Sequence, residues 1–223
     1  MCARYTLRQA PSDVARRFQA QPALFELSAR YNIAPTQPVL VVHEQGARMV
    51  EPMRWGLVPS WSRDPEIGAR LVNARAETIA EKPSFRTALK RRRCLIPADG
   101  FYEWTGSGKE RNPMFIHRRD DALFAFAGLW EEWESPDGSP LHTCTIITTT
   151  PNRLIAPIHD RMPVILPREH ENTWLDSRQF VPNLLRLLQP YAGNAFEAYP
   201  VSRHVNTAAN EGSACIARQE GLF

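Results

Sequence analysis

Four short stretches carry residues whose types and spacing suit covalent, proton-transfer or phosphate-binding chemistry. Cys2 directly follows the initiator Met1. Removal of Met1 would leave an α-amine and a thiol on one residue. That amine, with an ordinary pKa near ~8, is partly neutral at cellular pH and condenses with an aldehyde to an imine; the thiol then closes a five-membered thiazolidine on the same carbon. A cysteine-peptidase nucleophile, an N-terminal-nucleophile hydrolase and a small residue packed at the start of a strand are the other uses open to Cys2. Glu103 stands between Tyr102 and Trp104 in RCLIPADGFYEW. An apolar setting there would disfavour the ionised carboxylate and poise it as both proton donor and acceptor; a surface glutamate of a turn is the alternative. Asp99, beside Gly100, reads as a turn former. His159 is set beside both an acid and an arginine, Asp160 and Arg161, in a loop between Pro157 and Pro163. Such loops present proton-transfer residues, and they also hold structural histidines. The stretches MRWGLVPSWS and VNARAET interleave Arg54, Trp55 and Trp61, then Asn73 and Arg75. These groups suit a single-stranded backbone held through phosphates with a ring stacked on a base. Core packing competes for the tryptophans and predicts that at least one of Trp55 and Trp61 is buried.

The elements that must position these residues are short, because 19 Pro and 11 Gly punctuate the chain. Val39–His43 and Met49–Met53 flank Gln45-Gly46 and predict a hairpin; Met114–His117, Leu123–Leu129 and Cys144–Thr149 are further β-rich runs. Helices are predicted from Ser12 to Phe18, from a Ser84 cap to Arg91, over Arg168–Leu175 and over Pro182–Leu188, with a turn after Pro151. Ser107–Asn112 reads as a hairpin turn and Trp133–Pro140 as a loop. This mixed, non-alternating order predicts an α+β fold, and no linker divides two cores.

With 43% hydrophobic and 23% charged residues, the 223-residue chain is neither disordered nor fibrous. No long apolar run or signal-peptide pattern is present, which predicts a cytoplasmic protein with no membrane span. Cys2, Cys94, Cys144 and Cys215 are far apart and form no C-x-x-C pair, which argues against a zinc ribbon and for free thiols. No metal or cofactor is expected. G-x-S-x-G, H-E-x-x-H and P-loop patterns are absent as well. Lys82, Lys90 and Lys109 are the only lysines among 27 basic residues, so the other 24 are Arg, although the net charge is only +3. Arginine's planar donor fork suits phosphate, and a GC-rich coding sequence produces the same bias.

MCAR, YNIAP, RWGLVPSW, NARAET, RRCLIPADGFYEW, FAGLW, TIITTTPN, IHDRMPVIL and VSRHVN follow one another from Met1 to Asn206. In this succession the chain resembles the SRAP family, the SOS-response-associated peptidases or abasic-site processing proteins. The resemblance implies one SRAP domain over residues 1–223, α+β with a β-barrel-like core and peripheral helices, 207–223 forming a C-terminal tail. It implies a cytoplasmic monomer, associated with the nucleoid during DNA damage, that acts on abasic sites in single-stranded and replication-fork DNA. Cys2, freed of Met1, would form a covalent thiazolidine crosslink that shields the lesion, with latent lyase and autopeptidase activity. By motif, Asn73 would steady the intermediate, Glu103 would serve as acid and base, and His159 would protonate the opened sugar. Arg4, Arg75 and Arg161 match phosphate-contacting arginines, and Trp61 is the candidate stacking or wedge side chain. Ala3 departs from the glycine common in the family, which bears on how the aminothiol is placed. A general cysteine peptidase using Cys2, His159 and Glu103 or Asn73, and a noncatalytic nucleic-acid-binding module, are the competing functions.

Overall fold

A computed structural model describes residues 3–22, 28–106 and 111–219. Cys2 lies outside the described residues, as does most of the predicted Ser107–Asn112 turn.

The predicted hairpin is present: β3 (Pro38–Gln45) and β4 (Ala47–Trp55) pair from Pro38↔Arg54 to Gln45↔Ala47. Gly46 turns the chain at φ +81°, a conformation that side-chain-bearing residues avoid. β3 pairs next with β6 (Arg93–Ala98), β6 with β9 (Phe124–Glu134) and β9 with β10 (Pro140–Thr149), all antiparallel. A parallel contact of β10 with β4, Thr143↔Arg54 and Cys144↔Trp55, closes these five strands into a barrel. Closure removes the open edges that a flat sheet would leave unpaired. Gly128 sits between Cys94 and Ile146 in the ladders. A Cβ there would lie 2.9 Å from both Cys94 Sγ and Ile96 Cδ1, so the closure has no room for a side chain.

A second sheet runs in the order β13 (Phe196–Pro200), β8 (Asn112–Arg118), β7 (Gly100–Thr105), β1 (Tyr5–Leu7), β2 (Arg30–Ile33). The chain passes from β6 through Asp99 directly into β7, so one segment belongs to both sheets. Asp99 is fully buried. Its carboxylate accepts from Thr6 Oγ1 at 2.5 Å and from the Arg8 backbone N–H at 2.6 Å, with Arg8 Nε 3.1 Å away. It therefore ties β1 to the junction as well as shaping the chain there. Tyr5 packs its ring on Trp55 and Phe126, joining the second sheet to the barrel core.

The helices lie at the periphery: α1 (Pro11–Phe18), α2 (Arg86–Arg91), α3 (Arg168–Leu175) and α4 (Val181–Arg186). Ser84 does not cap α2; the helix starts two residues later with Phe85 at the N-cap, whose ring is needed in the core. Buried Arg93 binds the ends of two helices. Its guanidinium donates to the carbonyls of Leu89, Lys90, Trp174 and Asp176 at 2.6–2.8 Å, where helix dipoles place partial negative charge. Arg17 and Glu171 pair across α1 and α3 through two bonds of 2.9 and 2.8 Å. The segment after Asn206 is fixed to the domain through Asn32, whose amide donates to the carbonyls of Val205, Thr207 and Asn210. Among the described residues no helix is long and apolar enough to cross a membrane.

Candidate active site

β10 organises one half of the site. After β4 leaves it at Cys144, β5 (Asn73–Arg75) takes over the same edge in parallel, with Ile146↔Asn73 and Thr148↔Arg75. Residues 56–72 are an excursion between the two: Gly56 N–H donates to Cys144 O as the chain departs, and Ile146 N–H donates to Val72 O as it returns. Trp61 rides on this excursion and is 60% exposed, whereas Trp55 is fully buried with its indole N–H on Val72 O. The sequence expectation for the pair is met, and Trp133 Nε1–H anchors the excursion at Ser62 O.

Across the far end of β10, β11 (Met162–Pro163) follows the His159 loop, with Thr148↔Pro163 and Thr149↔Met162, and β12 (Ile165–Leu166) then pairs with β9. The predicted turn after Pro151 is built by Asn152, whose side-chain oxygen accepts from the N–H groups of Leu154 and Ile155. His159 N–H then bonds to Ile155 O at 2.9 Å. The imidazole Nδ1 faces two groups, the Arg161 backbone N–H at 3.0 Å and Asp160 Oδ1 at 2.9 Å. One requires a lone pair and the other a proton, so both cannot hold in one neutral tautomer. The backbone donor is fixed, while Asp160 is 88% exposed and free to turn to water, which assigns Nδ1 as acceptor and Nε2 as the N–H. Burial lowers the His159 pKa against the opposing pull of Asp160, favouring this neutral form.

The second half comes from β7. Tyr5↔Phe101 and Thr6↔Gly100, followed by the Tyr102 N–H bond to Arg4 O, run the chain toward Glu103 as it approaches Ala3. Glu103 is 1% exposed, and its carboxyl lies 3.9 Å from His159 Nε2. Burial pushes its pKa up to about 7, against the pull of the Arg111 guanidinium. A carboxyl in that state gives and takes protons with equal ease at neutral pH. The structure thus brings Glu103 and His159 together, with Asn73, Arg75 and Arg161 gathered on the same end of β10.

The three arginines differ in what they offer a ligand. Arg75 is exposed, and its guanidinium makes no hydrogen bond among the described residues. Arg4 donates inward, to Asn32 Oδ1 at 2.7 Å and Val205 O at 2.8 Å, with its guanidinium 5.9 Å from the Trp104 ring centre. Arg161 forks onto Glu77 at 2.6 and 3.0 Å and reaches Thr148 O at 2.7 Å. Three residues outside the sequence-derived set therefore matter: Asn32 and Glu77, which hold Arg4 and Arg161, and Arg111, an exposed cation acting on both Glu103 and His159. Asn32 and Glu77 lie in the YNIAP and NARAET stretches, and Arg111 in none. Cys94, Cys144 and Cys215 are buried and free, and burial raises their thiol pKa values, which makes them poor nucleophiles.

A family model described as SOS response associated peptidase (SRAP) matches residues 1–208. Abasic site processing protein YoqW of Bacillus subtilis (strain 168) is 47% identical over 221 residues, covering 97% of this chain and 99% of its own. Abasic site processing protein HMCES of Mus musculus is 35% identical over 228 residues, covering 84% of this chain and 64% of its own. A crystal structure of a protein from Bacteroides thetaiotaomicron superposes with a TM-score of 0.89 at 28% identity, over 98% of this chain and all of the other. With its barrel, its ordered motifs and these relatives in agreement, the chain belongs to the SRAP family.

Proposed function

We propose that this protein processes abasic sites in DNA by crosslinking to the opened sugar through Cys2. The observation that carries the reading is the buried Glu103, poised near neutrality beside a neutral His159, in a member of a family whose relatives bear the name of that activity. An abasic deoxyribose is mostly a closed hemiacetal. Ring opening moves a proton from its hydroxyl to the ring oxygen, and Glu103 relays it, accepting one proton and returning another, with the His159 Nε2–H as second donor. Once Met1 has been hydrolysed off, the Cys2 amine adds to the aldehyde carbon and water leaves as the imine forms. The thiol then adds across the C=N bond, its proton passing to nitrogen, and closes the thiazolidine. An imine left without thiol closure loses the neighbouring C2′ proton and expels the 3′ phosphate, which is the latent lyase reaction. Thiol capture therefore protects the strand from a nick.

Substrate without a base offers phosphates and neighbouring bases for recognition. Arg75 is the arginine best presented to a phosphate, Trp61 is the exposed ring for stacking, and Asn73 on β5 is the candidate to steady the intermediate. A single-stranded substrate fits this set, because stacking on Trp61 requires an unpaired base.

Intact mass of the Met1-free protein, mixed with single strands carrying either an abasic site or a normal base, tests the reading. An adduct specific to the abasic strand, less one water, is expected, and Cys2→Ala should lose its heat-stable form while retaining noncovalent affinity. Absence of the adduct sinks the proposal. Turnover of unrelated peptides would favour a cysteine peptidase, and binding unaffected by Cys2→Ala with no adduct in either protein would favour a binding module.

A further inference from the structure

Glu77 has no role in the reaction sequence above, yet it is bound to the loop that carries His159. Its carboxylate receives both Nη groups of Arg161, at 2.6 and 3.0 Å. The Arg161 side chain is only 13% exposed and Glu77 47%. Arg161 Nη2 also donates to Thr148 O at 2.7 Å, on the β10 residue that pairs with Arg75, so the fork is fixed to the barrel as well as to Glu77. The backbone of the same Arg161 donates to His159 Nδ1 at 3.0 Å. A continuous set of bonds therefore runs from the residues after β5, through Arg161, to the nitrogen that sets the imidazole tautomer. The hydrogen bonds from Arg161 lower the Glu77 pKa, and the pair is ionised across the neutral pH region.

We propose that Glu77 is a positioning residue: with Arg161 it clamps the His159 loop against β10, so that the imidazole keeps its Nε2–H toward Glu103. This rests on the proton-transfer roles proposed above for Glu103 and His159. The bidentate match matters because an arginine fork received by two carboxylate oxygens fixes direction as well as distance. A partly exposed ion pair of this kind contributes little to global stability, so its loss should act on the loop and leave the fold intact. With Glu77 neutral, Arg161 keeps a single strong acceptor, Thr148 O, and its backbone N–H no longer has a fixed direction toward Nδ1.

The test compares Glu77→Gln with the unsubstituted protein, both free of Met1. The rate constant for adduct formation on abasic single-stranded DNA should fall about tenfold, the scale expected when a proton donor is misplaced without being removed. Affinity for the same strand with a normal base should stay within about threefold, since Glu77 supplies no cation to the phosphates. Nitrogen-15 spectra of the imidazoles should show His159 as a fixed Nε2–H tautomer in the unsubstituted protein and as a tautomer mixture in the variant. An unchanged rate constant, or an affinity that drops by the same factor as the rate, overturns the clamp. If the unsubstituted protein forms no adduct, it is the functional reading that fails, and the imidazole spectra still decide the clamp: a His159 tautomer indifferent to Glu77→Gln overturns it.

Discussion

Replacing Glu103 by Gln should stabilise the protein at alkaline pH while removing the proton transfer proposed for it, and the size of the effect follows from burial. The Glu103 carboxyl is 1% exposed, and its pKa is raised from 4.5 to about 7. The folded state therefore binds this proton more tightly than the unfolded chain does. Below pH 4.5 both states are protonated and Glu103 carries no penalty; between 4.5 and about 7 the unfolded chain ionises first and stability falls; above 7 the loss is complete. At ~1.36 kcal/mol per pH unit, the displacement corresponds to about 3 kcal/mol, a ceiling because the interior relaxes around a charge. Gln has nearly the shape of the protonated acid and never ionises. Urea unfolding followed by tryptophan fluorescence at pH 4.5 and pH 8 should thus find the two proteins similar in acid. At pH 8 the Gln variant should be more stable by up to about 3 kcal/mol, a readily measured part of a typical ~5–15 kcal/mol total. His159 titrates in the opposite sense, since burial favours its neutral form and its contribution grows as pH rises; at 3.9 Å from Glu103 it is coupled to the substitution and offsets part of the difference. A stability difference that is the same at both pH values, or one that favours glutamate in alkali, would refute the claim that burial sets the state of Glu103.

Arg93→Met should cost about 3–5 kcal/mol in urea unfolding, because four carbonyls at the ends of α2 and α3 lose a buried cationic donor; a loss below about 1 kcal/mol would mean that they find other donors. Trp61→Ala should leave stability within about 0.5 kcal/mol, as its side chain is 60% exposed, yet weaken binding of an intact single strand by about 1–3 kcal/mol. Unaltered affinity in a filter or anisotropy titration would remove Trp61 from the interface. Arg75→Gln should make the logarithmic salt dependence of that affinity shallower by about 0.7, the value for one phosphate contact on a single strand, and an unchanged slope would show that Arg75 meets no phosphate.

How far the sequence carries depends on the range of the physics involved. The β3–β4 hairpin is legible because a glycine turn between two β-rich runs is local, and α3 follows its predicted limits because its buried positions, Glu171, Trp174 and Leu175, recur at helical spacing. Closure of the barrel is not local: nothing in Thr143 or Cys144 announces a parallel contact with Arg54 and Trp55 some 90 positions earlier. Ser84 misleads because its capping propensity is local, whereas the core's demand for Phe85, which sets the start of α2, is not. The same division runs through the site. Glu103 can be suspected of a raised pKa from its aromatic neighbours, but its proximity to His159 depends on how β7 meets the loop before β11. Arg4 and Arg161 have the residue type for phosphate, and only the structure shows Asn32 and Glu77 already holding them. The stretch after Asn206 carries none of the motifs and reads as a C-terminal tail, yet Asn32 and Arg30 bind it to β2.

Both halves of the site are referenced to the barrel, which limits what can move during the reaction. Glu103 follows from β6 through a buried Asp99 held by Thr6 and Arg8, so displacing it means disturbing a barrel strand and β1 together. Asn73 and Arg75 are laddered directly onto β10. His159 sits on a loop, between the Asn152 turn and β11, and in the proposed reaction it changes hydrogen-bond partners as the sugar opens. In the proposed reaction, a rigid acid opposite a histidine that can adjust suits a sugar that changes shape from ring to open chain. Too much freedom in the loop would misdirect the proton, and the Glu77–Arg161 pair supplies the restraint at the one point where the barrel does not.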